Sequence, residues 1–125
     1  MNTKDHPKLK SMSPLLLVTD LNRSIEFYTK KLGFEISFCY EDFYCGITRD
    51  GHSIHLKLVD APVKAGENEQ NNENLEITFA VDGIEAHYED LKKRAVTIIE
   101  PLRDMPYGRE FYIADPDENI IAFIE

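Results

Sequence analysis

Along this chain apolar and polar residues alternate in short runs, the period of strands with one face buried. In SIHLKLV, Ile54, Leu56 and Leu58 fall on one side and Ser53, His55 and Lys57 on the other; in LEITFAV, Ile77, Phe79 and Val81 oppose Glu76, Thr78 and Ala80. The same reading predicts strands at PLLLVT, FEISFCY, FYCGITR, VTIIEPL, REFYIA and NIIAFIE. Two segments carry a helical period instead. Leu21, Ile25, Tyr28 and Leu32 are spaced 4, 3 and 4 residues apart, as are Ile84, Tyr88, Leu91 and Ala95, and the two stripes are offset by 63 positions throughout. Asp20 and Asp82 precede these segments as expected N-caps, Gly33 marks a left-handed stop, and RDGH and DPDEN read as turns.

One unit has been written twice: strand, helix and three further strands. The expected fold is α+β, two tandem βαβββ modules forming a curved mixed sheet around a cleft. Residues 1–12 read as a tail and 13–125 as a single domain, divided into a module at 13–59, a polar linker at 60–74 and a module at 75–125. A chain of 125 residues buries roughly 65% of its unfolded surface and folds without staples. Cys39 and Cys45 read as small hydrophobes of a reduced compartment, with a disulfide across a tight hairpin as the alternative.

Charge narrows the partners. Twenty-three acids against 14 bases leave a net charge of −9, unsuited to a phosphate backbone, so no nucleic acid is expected. No stretch approaches the ~20 apolar residues of a membrane span, and MNTKDHPKLKSMS lacks the apolar core of a secretory signal; the expected location is cytoplasmic, with no membrane partner.

The helix run DLNRSIEFYTKKLGF and the terminal GREFYIADPDEN, in that order, resemble the glyoxalase/bleomycin resistance/extradiol dioxygenase superfamily, the vicinal oxygen chelate proteins. The resemblance covers residues from about 13 to 125. Its metalloenzymes hold a divalent ion at the start of the first strand and on the last strand of each unit. Those places match Ser13, His55, Glu76 and Ala122. Serine is a poor ligand for such ions and alanine offers no donor, so two candidate ligands remain where three or more protein groups are usual. The expectation is a fold that keeps its bowl without metal or cofactor. His52 should point away from His55, and His87 and His6 read as surface imidazoles.

Within the superfamily the incomplete ligand set, DFYCGITRDGHSIHLKL and GREF look most like the bleomycin resistance branch, homodimers that sequester a bulky cationic antibiotic without reaction. The resemblance implies a small-molecule ligand, a homodimer, and ligand-binding residues Tyr44, His55, Lys57, Glu76, Tyr107 and Arg109. With no tryptophan in the chain, Phe38, Tyr40 and Phe111 join the two tyrosines as candidate stacking surfaces. Two alternatives stand beside it. One is a lyase or isomerase resembling lactoylglutathione lyase, with Glu76 as a general base tuned by burial; the other is an interaction module whose cleft is closed by side chains.

Overall fold

The computed structural model describes residues 7–61 and 75–125; the beginning of the expected tail and nearly all of the expected linker lie outside the described residues. The first module contains β1 (Leu15–Val18), α1 (Leu21–Glu26) continued by a π-helical turn (Phe27–Lys31), β2 (Glu35–Tyr40), β3 (Tyr44–Arg49) and β4 (His52–Leu58). The second contains β5 (Leu75–Ala80), α2 (Ile84–Lys93), β6 (Thr97–Met105), β7 (Gly108–Ala114) and β8 (Ile120–Ile124). Each builds a four-stranded mixed sheet, ordered β1-β4-β3-β2 and β5-β8-β7-β6. In both, the first strand runs parallel to the last and the other neighbours run antiparallel. The ladders form two sheets of four strands.

Along the parallel pair of each sheet the register preserves the repeat. Leu15 pairs with His55, and Thr78, 63 positions on, pairs with Ala122. His55 and Ala122 therefore occupy equivalent places; Ser13 precedes the first ladder, and a bulge between Leu75 and Ile77 interrupts the second at Glu76. Past the helices the offset falls by one, and the π-helical turn is the cause. The amide of Phe34 reaches back six residues to the Tyr28 carbonyl, whereas that of Val96 reaches back five to Leu91, so the first helix holds one extra residue before its stop. The left-handed stops are Gly33 (φ 79°) and Ala95 (φ 62°). Ala95 is thus an exposed terminal residue rather than the last member of a buried stripe, and it takes without glycine a conformation that costs an L side chain energy.

The N-caps also differ. Asp20 accepts a hydrogen bond from the Arg23 amide at 3.1 Å. Asp82 lies one residue too early, since Gly83 occupies the cap position of α2 with φ 72° and offers no side chain. The last side chain described, Glu125, takes over, accepting from the amides of Gly83 (3.1 Å) and Ile84 (2.8 Å). Those two bonds, and then the nearby Arg109, hold its carboxyl below the usual range against slight desolvation. Between β3 and β4, Asp50 and Gly51 both have positive φ, the pattern of a two-residue hairpin. Pro101 is accommodated in β6 because that strand is an edge, and the register with β7 shifts around it.

The helix-facing sides of both sheets share one core, from Leu16, Val18, Ile47, Ile54 and Leu56 in the first module to Ile77, Phe111, Ile113, Ile121 and Phe123 in the second. Polar contacts lock this junction at the β7–β8 turn. Tyr28 donates to Asp115 at 2.8 Å, the Thr19 hydroxyl to Asp117 at 2.5 Å, and the Asn119 amide to the Leu17 carbonyl at 3.3 Å. Phe34 meets Phe79 across the modules at 6.2 Å. His87, expected at the surface, instead lies half-buried against the Phe123 ring (4.5 Å), with its Nδ1 buried and unpartnered. Desolvation, with Arg49 nearby, lowers its pKa. Among the described residues no helix is long and apolar enough to cross a membrane.

Candidate functional site

Because the core gathers the helix-facing sides, the half-polar faces of the two sheets lie outside it. On the first sheet, alternation along β4 and β3 sets Ser53, His55 and Lys57 beside Tyr44, Gly46 and Thr48. Phe38 of the edge strand β2 pairs with Gly46, and Gly46 pairs with His55, so three strands bring three rings around one glycine. Phe38 and Tyr44 lie nearly parallel at 6.3 Å, and His55 stands edge-on to Phe38 at 5.3 Å. The Tyr44 hydroxyl and His55 Nδ1 share a hydrogen bond of 2.9 Å. Gly46 is needed for space: a Cβ there would collide with the Phe38 ring. The wall is open to solvent, with Phe38 43% and Tyr40 62% exposed. Lys57 lies at its margin, exposed and with no ion pair among the described residues.

The corresponding face of the second sheet is filled around Ala122 but stays open along β5, where Glu76 and Thr78 are exposed. Thr78 and Tyr112 flank Ala122, which is 2% exposed. Beside them Glu110, 4% exposed, is enclosed by donors. Arg103 gives it Nε at 2.9 Å and Nη2 at 2.6 Å, Tyr107 its hydroxyl at 2.7 Å and Tyr112 its hydroxyl at 3.1 Å. Desolvation alone would raise the Glu110 pKa, but the bonds from Tyr107, Arg103 and Tyr112 outweigh it and the net shift is downward. The same bond to Glu110, helped by desolvation, pushes Tyr107 up to about 12. Glu110, Tyr112 and Arg103 were missed by sequence reasoning. The alternation of GREFYIA puts Glu110 and Tyr112 on the face of Ala122, but nothing in the one-dimensional pattern shows that Arg103 reaches across from β6.

The six residues expected at the site separate into groups. Tyr44 and His55 are in direct contact, and Lys57 shares their face. Glu76 is exposed at the start of β5, with no ion pair to His55 or Lys57. Tyr107 is bound into the Glu110 cluster. Arg109 projects to the other side of β7, where it pairs with Glu85 of α2 (3.6 Å) and Asp104 (3.3 Å); strand alternation puts it on the face of Phe111, away from Glu110 and Tyr112. Phe111 itself is buried in the core and offers no stacking surface.

The four places matched to metal ligands do not fit an ion. Ser13 hydrogen-bonds to the Ser53 hydroxyl and Ala122 has no donor, which leaves His55 and Glu76 alone of the four. Among the described residues no three His, Cys, Asp or Glu side chains converge.

Two half-polar faces on a duplicated mixed-sheet frame define the class. Residues 9–123 match the family model of the Glyoxalase/Bleomycin resistance protein/Dioxygenase superfamily. The chain belongs to that superfamily. It is 30% identical to a bleomycin resistance protein of Geobacillus stearothermophilus over 126 aligned positions, covering 90% of this chain and 93% of the relative. Among solved structures it resembles the bleomycin-binding protein of Streptomyces verticillus complexed with copper(II)-bleomycin (TM-score 0.70, 23% identity, 95% of this chain and 98% of that one). It also resembles TnmS3, an antibiotic binding protein from Streptomyces sp. CB03234 (TM-score 0.68, 22% identity, 95% and 98%).

Proposed function

We propose that this protein binds and sequesters a bulky, cationic, aromatic organic molecule of antibiotic type, without metal and without chemical turnover, as a cytoplasmic homodimer. The observation that carries the reading is the wall of exposed Phe38 and half-buried Tyr44 and His55 around Gly46, on the face where related enzymes carry a ligand and with too few donors here to hold an ion. Flat exposed rings suit a planar ligand. Glu76 and the net charge of −9 suit its positive charge. Resemblance to a bleomycin resistance protein supports the class of ligand. The open half-polar faces and the unpaired edges of β2 and β6 support pairing with a second copy.

The enzymatic alternative, Glu76 as a general base, calls for a carboxylate withdrawn from water, and Glu76 is exposed. A thermal-shift screen with bleomycin and simpler cationic aromatics on the parent, Glu76→Gln and Tyr44→Ala tests the proposal. A ligand at about 100 times its Kd should stabilise the parent by about 2.7 kcal/mol, and both variants should lose most of that. Undiminished stabilisation of Tyr44→Ala would remove the site from the first sheet's face, and of Glu76→Gln would take Glu76 out of it.

A further inference from the structure

We propose that Cys39 and Cys45 form a redox-active pair that low-molecular-weight thiols and disulfides reach at Cys39, and that its state sets the affinity of the aromatic wall. The two residues are direct partners across β2 and β3, with Cα atoms 4.1 Å apart, and are joined as a disulfide. Their environments differ sharply. Cys39 sits on an edge strand whose six residues are all exposed, while Cys45 is 1% exposed in the core beside Leu56. An external thiolate therefore meets the Cys39 sulfur first.

The chemistry closes without any other group. A thiolate attacks Sγ of Cys39, the bond between the two sulfurs breaks, and Cys45 leaves as a thiolate that takes up a proton. A second thiol attacks the mixed disulfide and frees Cys39. The sum is one protein disulfide and two thiols converted to one protein dithiol and one small disulfide, with two electrons transferred. Oxidation by a small disulfide runs the same steps backward.

The consequence for binding lies in how weakly β2 is otherwise held. It buries none of its residues, pairs with a neighbour on one side only, and its register with β3 shifts between Ile36 and Phe38. A bulge interrupts the ladder immediately before Phe38, and the disulfide restores the tie immediately after it. Phe38 follows the bulge and precedes Cys39, and its pairing partner Gly46 follows Cys45. The crosslink thus pins the strand pair on which the Phe38 ring lies over Gly46. Opening it leaves the hairpin in register but lets the edge strand, and the ring, depart more often.

This inference rests in its binding arm on the proposed ligand face, so the experiment reads the strand separately. Intact mass, amide hydrogen exchange of residues 36–40 and affinity for bleomycin are measured on the air-oxidised protein, the dithiothreitol-reduced protein and Cys39→Ser. The expected result is a mass two hydrogens lower in the oxidised form, glutathione trapped at Cys39 and not Cys45, at least tenfold faster exchange in β2 after reduction, and about fivefold weaker binding. Cys39→Ser should match the reduced protein with or without reductant. Unchanged exchange and affinity on reduction, or a pair that stays reduced with excess glutathione disulfide, would overturn the proposal. If bleomycin binds neither form, the ligand assignment falls and hydrogen exchange alone decides the redox role.

Discussion

Removing the Tyr28 hydroxyl measures how firmly the two modules are joined. Tyr28 is fully buried on the first helix and donates at 2.8 Å to Asp115 in the β7–β8 turn. Burial and then the Asp115 carboxylate push its pKa well above the ordinary tyrosine value. Asp115, also buried, accepts from the side chain of Asn119 at 2.9 Å and from the amides of Asp117 (2.9 Å) and Asn119 (2.8 Å). In Tyr28→Phe the ring keeps its edge contacts with Phe27 and Phe34, and Asp115 keeps three donors, so the loss is that of one hydrogen bond to a charged acceptor. That is about 2 kcal/mol. Unfolding entropy of about 2.1 cal/mol/K per residue makes this a fall in Tm of roughly 8 °C for a chain of this length. Asp115→Ala should cost more, about 4 kcal/mol, because it strands the Tyr28 hydroxyl in the interior and takes the acceptor from the backbone amides of Asp117 and Asn119. Urea unfolding followed by circular dichroism, without reductant, gives both values and their cycle. In the Asp115→Ala background Tyr28→Phe should cost nearly nothing; an undiminished loss there would refute the junction as the source of the coupling.

Two other outcomes follow from the same geometry. Gly46→Ala should displace the Phe38 ring and weaken ligand binding about tenfold, or ~1.4 kcal/mol, with little effect on Tm because Phe38 is already half exposed; calorimetric titration reads it, and unchanged affinity would take Phe38 out of the site. Glu110 titrates lower in the folded protein than its ordinary 4.5, so its contribution to stability is fully present above about that pH and is lost as pH falls through the depressed folded value. Stability of Glu110→Gln should therefore decline less steeply than the parent's from pH 5 downward, and parallel curves would assign the acid sensitivity elsewhere.

The fold was largely legible because the duplicated helical stripe and the strand alternation are one-dimensional signals, and the 63-residue offset survives as the register that makes His55 and Ala122 equivalent. Departures came where one residue was inserted or one group reached across from a distant strand. The π-helical turn shifts the helix stop by one and strands Ala95; Glu125 replaces Asp82 as the cap because strand β8 ends beside the start of α2. At the site, alternation put His55 and Lys57 on one face, and Tyr44, brought in by the resemblance, pairs beside them, whereas Glu76 lies on the other sheet. Arg109 was carried in by its motif against its own alternation, and the Arg103–Glu110 pair depends on a shifted β6–β7 register that no local pattern reveals. The cysteine pair was legible as a hairpin neighbour, but its asymmetric burial required the sheet order.

The central claim is that this chain binds an organic cation on its own side chains, without a metal of its own. The most direct test is calorimetric titration of the chelator-treated protein, its metal content checked by elemental analysis, with metal-free bleomycin. Saturable binding is expected with a Kd of roughly micromolar or tighter, near −8 kcal/mol, unchanged when zinc, nickel or manganese is added to the protein. Absence of heat at millimolar ligand, or binding that appears only with about one equivalent of divalent metal per chain, would contradict it.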